Sequence, residues 1–405
     1  MAKRALEGAK ILEYTSLVTG PYCVKLLADL GAEVIKVEEP GLGDKARTRG
    51  SFPGDIPHPE KSALFLYLNT NKMGLTLNVN TPLGRKIFKE LVKWADILVE
   101  DKAPEVMEEL GLDYDALKVM NPKLIMTSIT PFGQTGPYRN YKAHHLNIYH
   151  GSGLGYITPA QVSDLEREPL KGGGFAGDYF SGLYAALATL GALYAQGETG
   201  LGQHVDSSRQ QAIINLQRVQ AAAYPNEKVN PRRTARSGDT SGMGGIMRCK
   251  DGYVTATLVE DHQWRSFCQL LGHPEWWENE KMRDTYARGE AYREIEPLIS
   301  EWMMSRTKEE VYHQCQAVGC PVVPFLSPDE VVNDRQLKAR GFFVEVDHPK
   351  AGKIKYPSAP YQFSETPWSV KRPAPLLGQH NDEVYCQLLG YTKEDLVRLR
   401  EAGII

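Results

Sequence analysis

The chain has 405 residues, enough for two or three domains. Its 47 basic and 50 acidic residues leave a formal net charge of −3, which excludes the basic surface that holds nucleic acid or an anionic membrane. Hydrophobic residues make up 42% and charged residues 24%, too apolar a balance for a disordered chain, and no apolar run reaches the ~18 residues of a membrane helix.

The first third alternates strand-like and helix-like segments. Lys10–Tyr14 reads as a strand, Pro21–Leu30 as a helix opened by Gly20-Pro21 and stopped by Gly31, and Ala32–Glu38 as a second strand. Strand, helix and strand in so short a span form a βαβ unit with parallel pairing. The pattern continues with a strand at Leu75–Val79, a helix at Pro82–Ala95, a strand at Ile97–Glu100, a helix at Pro104–Leu110 and a strand at Leu124–Ile129. An open parallel α/β sheet follows, with ligands expected outside the carboxyl ends of its strands. Residues 131–177 read as loop. Asp178–Ala195 is small and apolar on most faces and reads as a buried helix, and Asp206–Ala223 reads as a second helix.

Residues 224–245 read as a linker, and a new α/β segment opens at Tyr253–Leu258. The expected division is a large α/β domain begun by residues 1–223, a linker and small domain over 224–325, and a linker with a C-terminal return to the large domain over 326–405. That return carries a strand at Phe342–Val346 and a helix near Lys393–Ala402. Six cysteines (Cys23, Cys249, Cys268, Cys315, Cys320 and Cys386) are scattered without a CxxC pair, and the first residues lack the apolar core of a signal peptide. A cytoplasmic protein is the expectation.

The common chemistry motifs are absent: no Walker loop, no GxGxxG after the first strand, no GxSxG elbow. His313, Cys315 and Cys320 read as a surface histidine and core cysteines, and the His144, His145 and His150 group has no nearby carboxylate, so no metal site is expected. Asp178 stands out. It follows Gly172-Gly173-Gly174-Phe175-Ala176-Gly177 and opens a helix of small residues. On the residues alone two readings remain: an N-cap that accepts hydrogen bonds from free helix N–H groups, or a carboxylate that glycines leave open to a ligand. A fixed carboxylate at a helix N-terminus, in a partly dry site, can act as a nucleophile.

Seven segments in this order resemble the family III CoA-transferases. They are Gly31-Ala32-Glu33-Val34-Ile35-Lys36-Val37-Glu38, Asn69-Thr70-Asn71-Lys72, Ala95-Asp96-Ile97-Leu98-Val99-Glu100, Phe132-Gly133-Gln134-Thr135-Gly136-Pro137, Gly177-Asp178 with Ser181-Gly182, Gly202-Gln203 with Asp206, and Leu376-Leu377-Gly378-Gln379-His380. The resemblance implies a Rossmann-like large domain, a smaller α/β domain and two chains threaded through each other as an interlocked dimer. It implies that Asp178 is the nucleophile. It places CoA contacts at Leu17, Val18 and Thr19 and at Asn71, Lys72 and Met73. Departures from the family pattern are Glu39 where a basic residue is common, which moves phosphate binding to Arg47 with its neighbours Lys45 and Arg49, and Asp101-Lys102 where Asn-Phe is usual, which offers Lys102. The glycine loop is reduced to Gly242-Met243-Gly244-Gly245, with Gly244 and Gly245 facing substrate.

The implied reaction moves CoA from an acyl-CoA to a carboxylic acid through an aspartyl anhydride and an aspartyl-CoA thioester, with CoA thioesters as substrates and no bound cofactor. His144, His145 and Tyr149 precede Asp178 and suit an aromatic or carboxylate-bearing acceptor. Overall similarity leans toward benzylsuccinate CoA-transferase subunits, with succinyl-CoA as donor, in a homodimer or a hetero-oligomer with a related subunit. Two alternatives accompany this reading. One is an α-methylacyl-CoA racemase, with His144 and Asp178 as its acid–base pair. The other is a non-catalytic partner subunit of a hetero-oligomeric CoA-transferase.

Overall fold

The computed structural model describes residues 4–162, 164–235, 244–283 and 285–405. It divides into two compact units. The first comprises Met1–Pro159, Glu168–Arg232 and Phe342–Ile405, and the second Ala160–Arg167 and Arg233–Gly341.

The first unit is built on six parallel strands: β1 (Lys10–Tyr14), β2 (Glu33–Glu38), β3 (Met73–Thr76), β4 (Ile97–Glu100), β5 (Ile125–Thr130) and β6 (His204–Ser208), in the order β3-β2-β1-β4-β5-β6. Alternate side chains of each strand point to opposite faces. On one face Leu12, Ile35, Leu75 and Leu98 meet Ile87, Phe88 and Leu91 of helix Pro82–Trp94, and Leu396 and Leu399 of helix Lys393–Glu401. On the other, Ile11, Val34, Ile97 and Ile125 meet Cys23, Val24 and Leu27 of helix α1 (Thr19–Asp29) and Ala185, Ala186 and Ala192 of a long helix, Ala176–Thr199. The C-terminal segment closes the β3 edge: Asn381 Oδ1 accepts from Thr76 N at 3.0 Å, and Tyr385 Oη donates to Thr76 O at 2.7 Å.

Three expectations change. Residues 131–177 contain a helix, α2 (His145–Gly151). The long helix, α3 (Ala176–Thr199), starts two residues before Asp178 and is buried on one face only. Asp206 lies in β6 and not in a helix; the chain then forms α4 (Arg209–Ile214), a single 3₁₀ turn, and α5 (Arg218–Glu227). Pairing of Asp206 with Ser128 of β5 outweighs its local helical pattern.

The second unit holds a three-stranded antiparallel sheet of β7 (Gly244–Cys249), β8 (Gly252–Thr257) and β9 (Val322–Pro324), with β8 in the middle. Its core gathers Trp264, Phe267, Cys268, Val311, Cys315 and Cys320. All six cysteines are free thiols.

Beneath the turn that follows β1 lies a buried set of charges. Lys36 Nζ is 2.9 Å from Glu13 Oε1 and 2.8 Å from Asp44 Oδ2, and Lys72 Nζ is 2.7 Å from Glu13 Oε2. Burial works to raise the Glu13 carboxyl, but Lys36 and Lys72 outweigh it and hold the group below its usual range. Burial pushes Lys72 down to about 8 against the pull of Glu13. Removing Lys36 leaves Asp44 without its ion-pair partner and Glu13 with Lys72 alone, in a dry interior. Lys36→Met is therefore expected to destabilise the chain by about 3–5 kcal/mol, read as a lower urea midpoint; a midpoint equal to that of the unmodified chain would refute this role.

Candidate active site

The order of the six strands reverses direction between β1 and β4, and a crevice forms outside their carboxyl ends. A cavity of about 710 Å³ opens there. Its walls are the turn Thr15–Thr19 after β1, Glu38 and Glu39 at the end of β2, Asp101–Ala103 after β4, Pro131 after β5 and Arg209 after β6, joined by His144, His145, Phe175 and Asp178.

The turn after β1 is held from below. Leu17 adopts φ 67°, a left-handed conformation that a leucine takes only when its surroundings enforce it. Leu17 N donates to Asp44 Oδ1 at 2.9 Å, Ser16 N donates to Asp101 Oδ2 at 2.7 Å, and Lys36 Nζ donates to Thr15 O at 3.1 Å. The helix α1 that follows has no side-chain cap, so its first N–H groups stay available at the cavity wall.

Asp178 comes from another part of the chain. It occupies the first turn of α3, whose N-cap is Phe175, so it is not itself the cap. Gly182 makes this placement possible: a Cβ there would lie 2.6 Å from Thr19 O, so only a glycine lets α3 close on the start of α1. Asp178 is buried and forms an ion pair with Arg209. His145, the first residue of α2, borders the same carboxylate. Burial lowers its pKa, partly offset by the Asp178 charge, which leaves the imidazole neutral at pH 7. Its Nε2 and the Nε of Arg209 are buried without hydrogen-bond partners. Phe175 packs edge-on to His145 with centroids 5.6 Å apart. His144 is the N-cap of α2, and its backbone N–H donates to Asn147 Oδ1 at 2.9 Å.

Leu17, Val18, Thr19, Lys102, His144, His145 and Asp178 all line this cavity. The other expected contacts do not. Arg47 is 1% exposed, its guanidinium 2.7 Å from both Glu38 and Glu60 and stacked over Phe65, so it has no donor to offer a phosphate. Lys72 is engaged with Glu13, Asn69 and Pro21 O. Asn71, at φ 64°, clasps the C-terminal segment: its Nδ2 donates to Ser369 O at 2.8 Å and its Oδ1 accepts from Lys371 N at 2.7 Å. Met73 begins β3 and packs in the core. Tyr149 is buried behind His145, with ring centroids 6.0 Å apart. Gly244 and Gly245 open β7 in the second unit, so the described half of the expected glycine loop is strand; Gly242 and Met243 lie outside the described residues.

Lys45 and Arg49 line the cavity, are exposed and form no ion pair among the described residues, and so replace Arg47 as cationic donors at its rim. Lys102 adds a third cation, 3.0 Å from Asp101 Oδ1 and 4.3 Å from the Tyr14 ring centroid. Arg209 was not foreseen, because one helix was expected over 206–223. The available signal was Ser208, which caps α4 by accepting from Gln211 N and so places Arg209 at a strand-to-helix junction. Among the described residues, no three His, Cys, Asp or Glu side chains are grouped to hold a metal ion, and no helix is long and apolar enough to cross a membrane.

A doubly wound sheet with a carboxylate–arginine pair in the crevice at its switch point is the setting in which α/β enzymes bind their ligands. Residues 6–381 match CoA-transferase family III, and the chain belongs to that family. Formyl-CoA:oxalate CoA-transferase of Bradyrhizobium sp. (strain ORS 278) is 34% identical over 425 aligned positions, covering 99% of this chain and 97% of that protein. The protein of the same name from Rhodopseudomonas palustris (strain BisB18) is also 34% identical, with the same coverage. The crystal structure of a CaiB/BaiF family protein from Brucella suis superposes with a TM-score of 0.82 at 30% identity, covering 95% of this chain and 99% of that one. Rv3272 from Mycobacterium tuberculosis gives 0.81 at 27% identity, covering 94% and 99%. The chain is therefore a CoA-transferase, of a class that takes CoA thioesters as substrates and uses no permanent cofactor.

Glu100 supports the β4 side of the cleft, where its carboxylate accepts from Lys102 N at 2.7 Å. Burial pushes its pKa up to about 7, above the ordinary 4.5. The folded chain thus keeps a proton that the unfolded chain has released. The resulting stabilisation is complete below about pH 4.5 and is lost as pH rises through 7, an effect of about 3 kcal/mol. Unfolding curves should show the unmodified chain losing stability relative to Glu100→Gln across that window; a constant difference would refute the assignment.

Proposed function

We propose that this chain moves CoA from an acyl-CoA to a dicarboxylic acid, with Asp178 as the nucleophile. The observation that carries the reading is the placement of a buried carboxylate on the first turn of α3, in the same cavity as the β1–α1 turn. Asp178 attacks the donor thioester, giving a mixed anhydride and CoA thiolate. The thiolate returns to the aspartyl carbonyl and releases the donor acid, leaving an aspartyl-CoA thioester, which the acceptor acid reverses in the same two steps. Each tetrahedral stage carries an oxyanion that needs N–H donors, and the first turn of α3, uncapped by any side chain, offers them beside Asp178. Leu17, Val18 and Thr19 with Lys45, Arg49 and Lys102 form the CoA-binding wall, the cations serving its phosphates.

Dicarboxylic acid is the substrate class on which two lines of support agree. The relatives' printed name carries oxalate, and the resemblance to benzylsuccinate CoA-transferase subunits carries succinate and benzylsuccinate. Formyl-CoA and succinyl-CoA are the donors to test against oxalate, succinate and benzylsuccinate. Asp178→Ala should fold normally and lose transfer by about 10³-fold or more, and mass spectrometry of the unmodified enzyme with acyl-CoA should find an adduct on Asp178. Activity of more than a few per cent in that variant would sink the assignment. Deuterium entering the α-position of a 2-methylacyl-CoA in D₂O, with no acid present, would instead favour the racemase.

We further infer that two copies of the chain associate through α3. Its outward face carries Leu183, Leu187 and Tyr194, which are 49%, 64% and 75% exposed in the single chain. Apolar side chains repeated along one helix face are a surface to be covered, and the family resemblance supplies a second copy as the cover. Sedimentation at micromolar concentration should give a dimer, and Leu187→Glu should weaken it. A stable, active monomer would overturn the dimer, and recovery of activity only on adding a related chain would assign a hetero-oligomer.

A further inference from the structure

Arg209 stands at the first position of α4, where β6 ends at the cavity. Its guanidinium pairs with Asp178, yet its Nε is buried without an acceptor, as is Nε2 of His145 on the same wall. Two buried nitrogens beside one carboxylate are thus left unmatched in the free chain, the Arg209 Nε–H donor and an imidazole nitrogen that donates or accepts according to its tautomer, and unmatched buried polar groups are uncommon unless a ligand completes them. An arginine fork matches a carboxylate in two parallel hydrogen bonds, so the vacant guanidinium donor points to an acid.

We infer that Arg209 is the acid-substrate site, holding Asp178 in the free enzyme and the incoming acid's carboxylate once Asp178 is acylated. This rests on Asp178 being the nucleophile. In the aspartyl-CoA thioester Asp178 carries no charge, and Arg209 has lost its partner. An acid carboxylate takes that place. Its oxygen then bonds to the Asp178 Cγ, the Cγ–S bond breaks, and the electron pair leaves with the CoA thiolate. The thiolate sulfur next attacks the acid's own carbonyl carbon. The bond from that carbon to the Asp178 oxygen breaks, and the electron pair returns to Asp178 as its carboxylate. No proton moves, and one negative charge passes from acid to thiolate to aspartate. The guanidinium therefore lacks an anion only in the aspartyl-CoA thioester, a costly condition in a low-dielectric site that the acid's carboxylate relieves on binding.

Asp178→Asn supplies a neutral isostere of the acylated aspartate, in which Arg209 has no anion. Isothermal titration with oxalate and with succinate should show at least one of them binding Asp178→Asn ten-fold or more tighter than the unmodified enzyme. The double variant Asp178→Asn with Arg209→Met should lose that gain. In turnover, Arg209→Met should raise the acid KM at least ten-fold and leave the acyl-CoA KM within two-fold, with Arg209→Lys recovering part of the loss. Equal affinity of both anions for the unmodified enzyme and Asp178→Asn, or an unchanged acid KM in Arg209→Met, would overturn the role of Arg209. Adduct formation on Asp178 separates this from the mechanism. An adduct in the unmodified enzyme with no effect of Arg209 refutes only the present inference, whereas absence of any adduct there refutes the nucleophile.

Discussion

The buried charges under the β1–α1 turn are the constraint on which the rest of this structure depends. Glu13 sits in the central strand of the sheet, where an unpaired carboxylate would be prohibitive, and Lys36 from β2 and Lys72 from beside β3 answer it. Lys36 also reaches Asp44, and Asp44 in turn accepts from Leu17 N and Ala46 N. One connected set of ion pairs thus joins three neighbouring strands to the turn above them. A buried pair adds little net stability compared with an apolar core, but it tolerates only one arrangement. Here that arrangement fixes a left-handed leucine and directs backbone N–H groups at the cleft.

Charge also organises the cleft itself. Acids and bases alternate around its walls, but they do different work. Glu38, Asp44 and Asp101 face downward into hydrogen bonds with backbone and with Arg47, and so hold loops. Lys45 and Arg49 stand at the exposed rim, where a polyanion can meet them without a desolvated partner to displace. The deep end holds Asp178 with Arg209 and a neutral His145. A ligand that is highly charged at one end and reactive at the other fits this gradient.

Distant segments meet at that deep end because small residues allow it. Gly182 lets α3 close on Thr19, and at Gly177 a Cβ would lie 2.7 Å from Ile213 Cδ1, so α3 and α4 also approach closely. Asp178 is held between these two contacts, on the first turn of α3. Its neighbours Ser181, Ala185, Ala186 and Thr189 continue the same buried face. The opposite face of this helix is apolar and uncovered among the described residues, which explains why its composition alone suggested a buried helix.

The sequence by itself determined the parallel sheet, since the alternation of short apolar runs with capped helices admits few other folds, and the ordered landmark segments marked Asp178 and the Leu17–Thr19 turn. It misplaced Asp206, because a strand at the edge of a sheet is set by its neighbour, here β5, and not by its own pattern. Only the tertiary structure decided which basic residues are free. Arg47, Lys45 and Arg49 look alike in the chain, yet Glu38 and Glu60 claim the first and leave the others at the rim. The same holds for Lys72 and Asn71, whose partners come from Glu13 and from residues 369–372, and for Arg209, whose meaning depends on Asp178 from another helix. A side chain's type is local, but whether it faces a ligand depends on which opposite charge the fold brings to it first.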